Sequence, residues 1–120
     1  YVFKGSGASW TEVAKVESSD LADDDLFGTA VGCSNDSFVA TSRENAATVS
    51  GNSTGAAYLF SINSDNTVTQ QKKIVSGDIA DGDRFGWSAD MDGDFVIVGA
   101  RDHDSGGTNQ TGNAYIFKRT

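Results

Sequence analysis

No proline occurs in these 120 residues, only one cysteine is present, and no apolar run reaches the ~18 residues a membrane-spanning helix needs. With no second thiol, Cys33 cannot close an internal disulfide. It sits in the alternating run VGCSNDSFV, which predicts a small buried hydrophobe. Lysine and arginine are scarce and scattered, and the net charge is -8. A phosphate backbone would be repelled, so no nucleic acid is expected as a partner, and no membrane span either. An acidic surface favours solubility and attracts divalent cations. Also missing are any Ser/His/Asp ordering, any paired carboxylates of catalytic type and any phosphate-cradling glycine loop, so the chain reads as non-enzymatic. His103, alone in Arg101-Asp102-His103-Asp104, reads as a solvated loop residue.

What is present is short apolar runs separated by Gly, Ser, Thr, Asn and Asp, with 38% hydrophobic residues in all. That is the composition of an all-β domain rich in turns, of a size for one domain rather than two. The opening YVFKGSGASW lacks the layout of a signal peptide and begins without Met, so the expectation is a processed chain or part of a larger one. N-glycosylation sequons occur at Asn35, Asn52 and Asn109.

Self-similarity organises the chain. Tyr1-Val2-Phe3, Tyr58-Leu59-Phe60 and Tyr115-Ile116-Phe117 recur every 57 residues. Asp20, Asp25, Phe27, Gly28, Asp36 and Arg43 match Asp78, Asp83, Phe85, Gly86, Asp94 and Arg101 at an offset of 58. Asn52 and Asn109 are equivalent, each three residues before the Gly that opens a Tyr strand. Within a copy the period is two. Trp10 to Val16 alternates, while Phe95-Val96-Ile97-Val98 is continuously apolar, as in a strand covered on both faces. Each copy supplies about four strands, the content of one propeller blade.

Phe85-Gly86-Trp87-Ser88, then Val96-Ile97-Val98-Gly99-Ala100, then Gly112-Asn113-Ala114-Tyr115-Ile116-Phe117 resembles the FG-GAP repeat of integrin α-subunit β-propellers and related extracellular proteins. Asp83-Arg84-Phe85-Gly86 and Trp10-Thr11-Glu12 are similar to its lead-in and outer strand. Arg101 stands where the family usually has Pro, and the first copy has Thr41-Ser42-Arg43 in place of Gly-Ala-Pro. The resemblance implies an all-β fold: two tandem four-stranded antiparallel β-propeller-type blades with incomplete, complementary ends. Residues 27–75 would form a complete blade, with partial blades at 1–17 and 85–118. It also implies an extracellular or cell-surface, secreted location and a structural role for the motif residues Phe27, Gly28, Phe85, Gly86, Gly99, Ala100, Tyr58 and Tyr115. Trp10, Trp87, Phe27 and Phe85 read as blade core rather than a sugar-stacking platform.

Two acidic stretches need an account. In calcium-binding versions of the repeat, a loop of the form D-x-[DN]-x-D-G-x-x-D joins the FG and GAP strands, supplying the six to eight or so oxygens calcium takes. Asp90, Asp92 and Asp94 mimic the first three ligands, but Phe95 replaces the following Gly and no distal acid follows. The segment therefore reads as a hairpin turning at Asp92-Gly93, with Asn35-Asp36 its counterpart, and calcium as the alternative. The second cluster, Asp20, Asp23 and Asp25 with Asp78, Asp81 and Asp83, reads as turn-capping carboxylates. A shared cation is the alternative there.

Two blades cannot close a propeller, which takes about four to eight. The expected partners are therefore copies of the chain or adjacent blades of the same longer chain, together with N-linked glycans. The function expected is a structural or adhesion module assembling by blade packing and strand complementation, as a repeat within a longer protein or a ring or filament subunit. The alternatives are a propeller binding glycan or protein, with or without calcium, and the accessory propeller of a larger enzyme.

Overall fold

The computed structural model describes residues 1–45, 54–107 and 109–120. These residues form nine strands and no helix: β1 (Val2–Ser6), β2 (Ser9–Ala14), β3 (Phe27–Ser34), β4 (Ser37–Ser42), β5 (Ala56–Ile62), β6 (Val68–Ile74), β7 (Phe85–Asp92), β8 (Phe95–Ala100) and β9 (Asn113–Lys118). Every strand pairs antiparallel with its neighbour in sequence, giving a first sheet β1-β2, a second β3-β4-β5-β6 and a third β7-β8-β9.

Register shows what the two-stranded sheet is. On the second sheet Leu59 faces Lys72 and Phe60 faces Gln70, across a bulge. On the first, Val2 faces Ala14 and Phe3 faces Glu12, across the same bulge. β1 and β2 thus correspond to β5 and β6, the last two strands of a blade. The third sheet corresponds to the first three strands of the second, β3 to β5.

Alternation along the strands gives the second sheet two apolar faces. Phe38, Ala40, Ala56, Tyr58 and Phe60 form one cluster, against which Val2 and Val16 pack from the first-sheet side. Val39, Ala57 and Ile74 form the other, together with Phe85, Met91, Val96, Val98 and Ala100 of the third sheet. Burying Phe85 completely is worth about 1.5–3 kcal/mol on transfer alone. Its ring meets Tyr115 and Phe117 edge-on, as Phe27 meets Tyr58 and Phe60 one repeat earlier.

Four sequence expectations change. The β7-β8 turn is Gly93-Asp94 rather than Asp92-Gly93, because Asp92 still pairs with Phe95. Gly93 takes the left-handed φ of 55°, as Asn35 does at 52° in the equivalent turn. β8 is covered on one face only, since Phe95 and Ile97 are exposed. Trp10 is exposed rather than core. Cys33 is exposed as well. It pairs with Phe38 and so points to the first-sheet side, where no inner strands stand to cover it, whereas its equivalent Met91 is buried against the second sheet.

The sheets stack into a body of 50 × 28 × 28 Å with a radius of gyration of 14.9 Å. A compact chain of this length has about 13.6 Å. The elongation is that of sheets stacked in a row.

Candidate functional site

The junction between the second and third sheets shows how one blade receives the next. Thr41 Oγ1 donates to the Gly86 carbonyl at 2.6 Å, and Phe85 N donates to the Thr54 carbonyl at 2.9 Å. Gly86 has a φ of 95°, and a Cβ there would lie 2.9 Å from Thr41 Cβ and 3.0 Å from the Ala56 carbonyl oxygen. Its equivalent Gly28 has a φ of 91° and meets nothing within 4 Å. The motif glycine is therefore needed for close approach only where a preceding blade is present. At the rim, the guanidinium groups of Arg43 and Arg101 stack on Trp87 at 4.6 and 4.5 Å, and Arg84 pairs with Asp102 at 2.6 Å and Glu44 at 3.4 Å. Trp87 is thus an inter-blade pin. The sequence held a signal for it, since Arg43 and Arg101 are repeat-equivalent. On the inner side, Gly32 of β3 stands against its own equivalent Asp90 of β7, where an added Cβ would come within 2.8 Å of Asp90 Cα.

The repeated acidic turns are capped by their own carboxylates. Asp25 Oδ2 accepts from Ala22 N at 3.0 Å, and Asp83 Oδ2 accepts from Ala80 N at 2.8 Å. Both residues are buried, while Asp23 and Asp81 are exposed. The carbonyl of Asp25 also accepts from Glu44 N, and that of Asp83 from Asp102 N, which ties each turn to the end of the second strand of its blade.

Beside the first turn lies a completed polar cluster. Tyr58 donates to Asp20 at 2.8 Å, and Lys73 of β6 bridges Asp20 and Asn45 Oδ1. Asn45 Nδ2 donates to Asp25 at 2.9 Å. Burial first, and the Asp20 carboxylate second, push the Tyr58 phenol well above its usual range. The counterpart in the third sheet is Tyr115, Asp78 and His103, and no lysine accompanies them. His103 occupies the Asn45 position, buried and not solvated, with Nε2 3.7 Å from Asp78 and 3.8 Å from Asp83. That nitrogen is buried and has no hydrogen-bond partner. The Ser76 hydroxyl donating to Asp78 holds its carboxyl below the usual range.

Asp90 and Asp92 are exposed on β7. Asp94 is engaged by Arg119, whose Nε and Nη2 donate to Oδ1 at 3.0 and 2.8 Å. Among the described residues no three acidic, histidine or cysteine side chains come together as a metal would require. Asn35 and Asn109 are exposed, and Asn52 lies outside the described residues. No described helix is long and apolar enough to cross a membrane.

The repeated strand order, the paired Phe-Gly turns and the glycine packed under a preceding blade match a known repeat. The FG-GAP repeat profile covers residues 10–60 and 68–117. The chain belongs to the FG-GAP repeat family. No curated protein and no solved structure matches it. FG-GAP repeats build β-propellers, are associated with adhesion and ligand-binding proteins, are typical of extracellular and surface proteins, and are generally non-enzymatic. Here each FG-GAP match is out of step with the sheets: residues 10–60 run from β2 to β5 and residues 68–117 from β6 to β9. A repeat thus lays its first strand on one sheet and its remaining three on the next. No FG-GAP unit completes a blade by itself.

Proposed function

We propose that the chain is a non-enzymatic structural module of an extracellular or surface assembly, and that its work is to join blade to blade with units of its own kind, as a repeat in a longer polypeptide or as the subunit of a ring or filament. The carrying observation is equivalence between buried and exposed faces. Ile97 and Ile116 are exposed, and they are the repeat equivalents of Val39 and Leu59, which pack on the third sheet. Tyr1 and Phe3 are exposed, and they are the equivalents of the buried Tyr58 and Phe60. One end therefore presents the face that a following blade covers, and the other the face that a preceding blade covers. Such a contact is heterologous and propagates until its rotation closes.

Exposed acceptors at Asn35 and Asn109 suit N-linked glycans on a secreted module. Sedimentation velocity over a wide concentration range tests the assembly: species larger than one chain support it, and a monomer at every concentration refutes it. Mass loss on treating protein from a secreting host with an N-glycosidase tests the glycans.

A further inference from the structure

The two repeats fill one buried position differently. In the first, Asn45 Nδ2 donates to Asp25 Oδ2 at 2.9 Å, and the same oxygen accepts from Ala22 N at 3.0 Å. In the second, Asp83 Oδ2 accepts from Ala80 N at 2.8 Å, and the equivalent of Asn45 is His103, the only histidine of the chain. Its Nε2 is buried without a hydrogen-bond partner, 3.8 Å from Asp83 Oδ2 and 3.7 Å from Asp78 Oδ2. The other ring nitrogen, Nδ1, faces Asn113 Nδ2 at 3.3 Å. An amide N–H donates only to an unprotonated nitrogen, so the neutral ring carries its proton on Nε2. Tyr115 covers one side of the ring, and burial keeps its phenol protonated. The other flanking carboxylates are engaged: Asp102 by Arg84 at 2.6 Å and Arg101 at 3.5 Å, and Asp104 by Gln110 N at 2.7 Å.

We propose that His103 is a proton-operated latch in the second repeat. A proton taken up at Nδ1 makes the ring a cation opposite two carboxylates, Asp78 and Asp83, and draws the three groups together. Losing that proton releases them. The new Nδ1–H needs an acceptor, which Asn113 supplies by turning its amide so that Oδ1 faces the ring. That turn gives up a 3.5 Å contact with the Tyr115 hydroxyl and little else. The backbone carries the event outward. The His103 carbonyl accepts from Thr111 Oγ1 at 3.2 Å and from Gly112 N at 3.1 Å, so this residue gathers both ends of the β8-β9 connection. Its neighbour Asp102 holds Arg84, which reaches Glu44 across the blade boundary. Mild acid therefore fastens the turn before β7 to the β8-β9 connection, one residue from that boundary. Asn45 does not titrate, so the first repeat does not respond. The device lies within one chain and does not depend on assembly.

The experiment measures urea unfolding of the whole chain from about pH 8 to about pH 6, where histidine is the side chain that ordinarily changes charge. Wild type is compared with His103→Asn, which gives the second repeat the residue of the first, and folding of the variant is checked by circular dichroism. The folded chain sets two carboxylates against the imidazolium and the unfolded chain holds none there. The expected wild-type folded-to-unfolded ratio is therefore at least about threefold larger at the acid end. His103→Asn should lack the rise, and Asp78→Asn, at an exposed side chain, should lose part of it. In parallel, nuclear magnetic resonance of isotope-labelled histidine reads the one imidazole directly in the wild-type chain, and needs no variant to fold. It should show a second ring proton arriving at Nδ1 on acidification. A wild-type ratio that stays level or falls toward acid, a rise that either variant retains in full, or a ring still neutral at about pH 5 overturns the latch.

Discussion

Thr41 and Gly86 meet across a blade boundary, the hydroxyl of one donating to the carbonyl of the other at 2.6 Å with no room for a side chain between them. Thr41 stands where the GAP motif has its Gly, so the contact joins a departure from the family pattern to the Phe-Gly turn of the next repeat. The glycine admits the neighbour and the threonine fastens it.

Replacing the two motif glycines separates backbone strain from approach. Gly28→Ala should cost about 1–2 kcal/mol, the strain of a positive φ alone. Gly86→Ala adds overpacking against Thr41 and Ala56 and should cost about 3 kcal/mol or more. Urea denaturation of both variants measures the difference, and equal costs would show that the boundary is not tight.

The Tyr58–Asp20–Lys73 cluster should shape both limbs of the pH–stability profile. The folded state holds the Tyr58 proton more tightly than the unfolded chain does, so this contribution is intact below pH ~10 and is lost as the pH rises beyond it. Asp20 behaves oppositely. Burial works against its charge, but hydrogen bonds from Lys73 and Tyr58 outweigh burial and hold its pKa down. Its contribution is therefore present above pH ~4 and lost as the pH falls. Tyr58→Phe should flatten the alkaline limb and Lys73→Met the acid limb, as read from urea midpoints across the pH range.

Ile116 and Leu59 are equivalent residues in different surroundings. Ile116→Lys, on the open face, should change the stability of the single chain by less than about 0.5 kcal/mol while weakening assembly. Leu59→Lys, at a packed boundary, should cost about 2 kcal/mol or more. Thermal melts and sedimentation together distinguish the two.

Divalent cations should matter little to the folded chain. With Asp94 held by Arg119 and Asp25 and Asp83 turned onto backbone amides, the carboxylates have other work. Adding a chelator should move the melting temperature by less than about 1 °C. A larger fall would mean that calcium binds where the side chains of the single chain do not converge.

Strand content and the Asp-capped turns were legible in the amino-acid order, because each is written in a period of two or in residues a few positions apart. Asp25 to Ala22 spans three residues, and the equivalence of Tyr58 to Tyr115 needs only counting. Burial was not legible in the same way. Cys33 and Met91, or Leu59 and Ile116, occupy equivalent repeat positions, and one of each pair is covered while the other is not. Local sequence sets which face a side chain takes, but coverage depends on whether a neighbouring sheet stands opposite. The stack of Arg43 and Arg101 on Trp87 and the burial of His103 arise the same way, from sheets meeting at separations of tens of residues. Residue order alone specifies the strands and how they follow one another. Which of their faces are covered is set by how the sheets meet, because packing between sheets is a property of their number and placement rather than of any one strand.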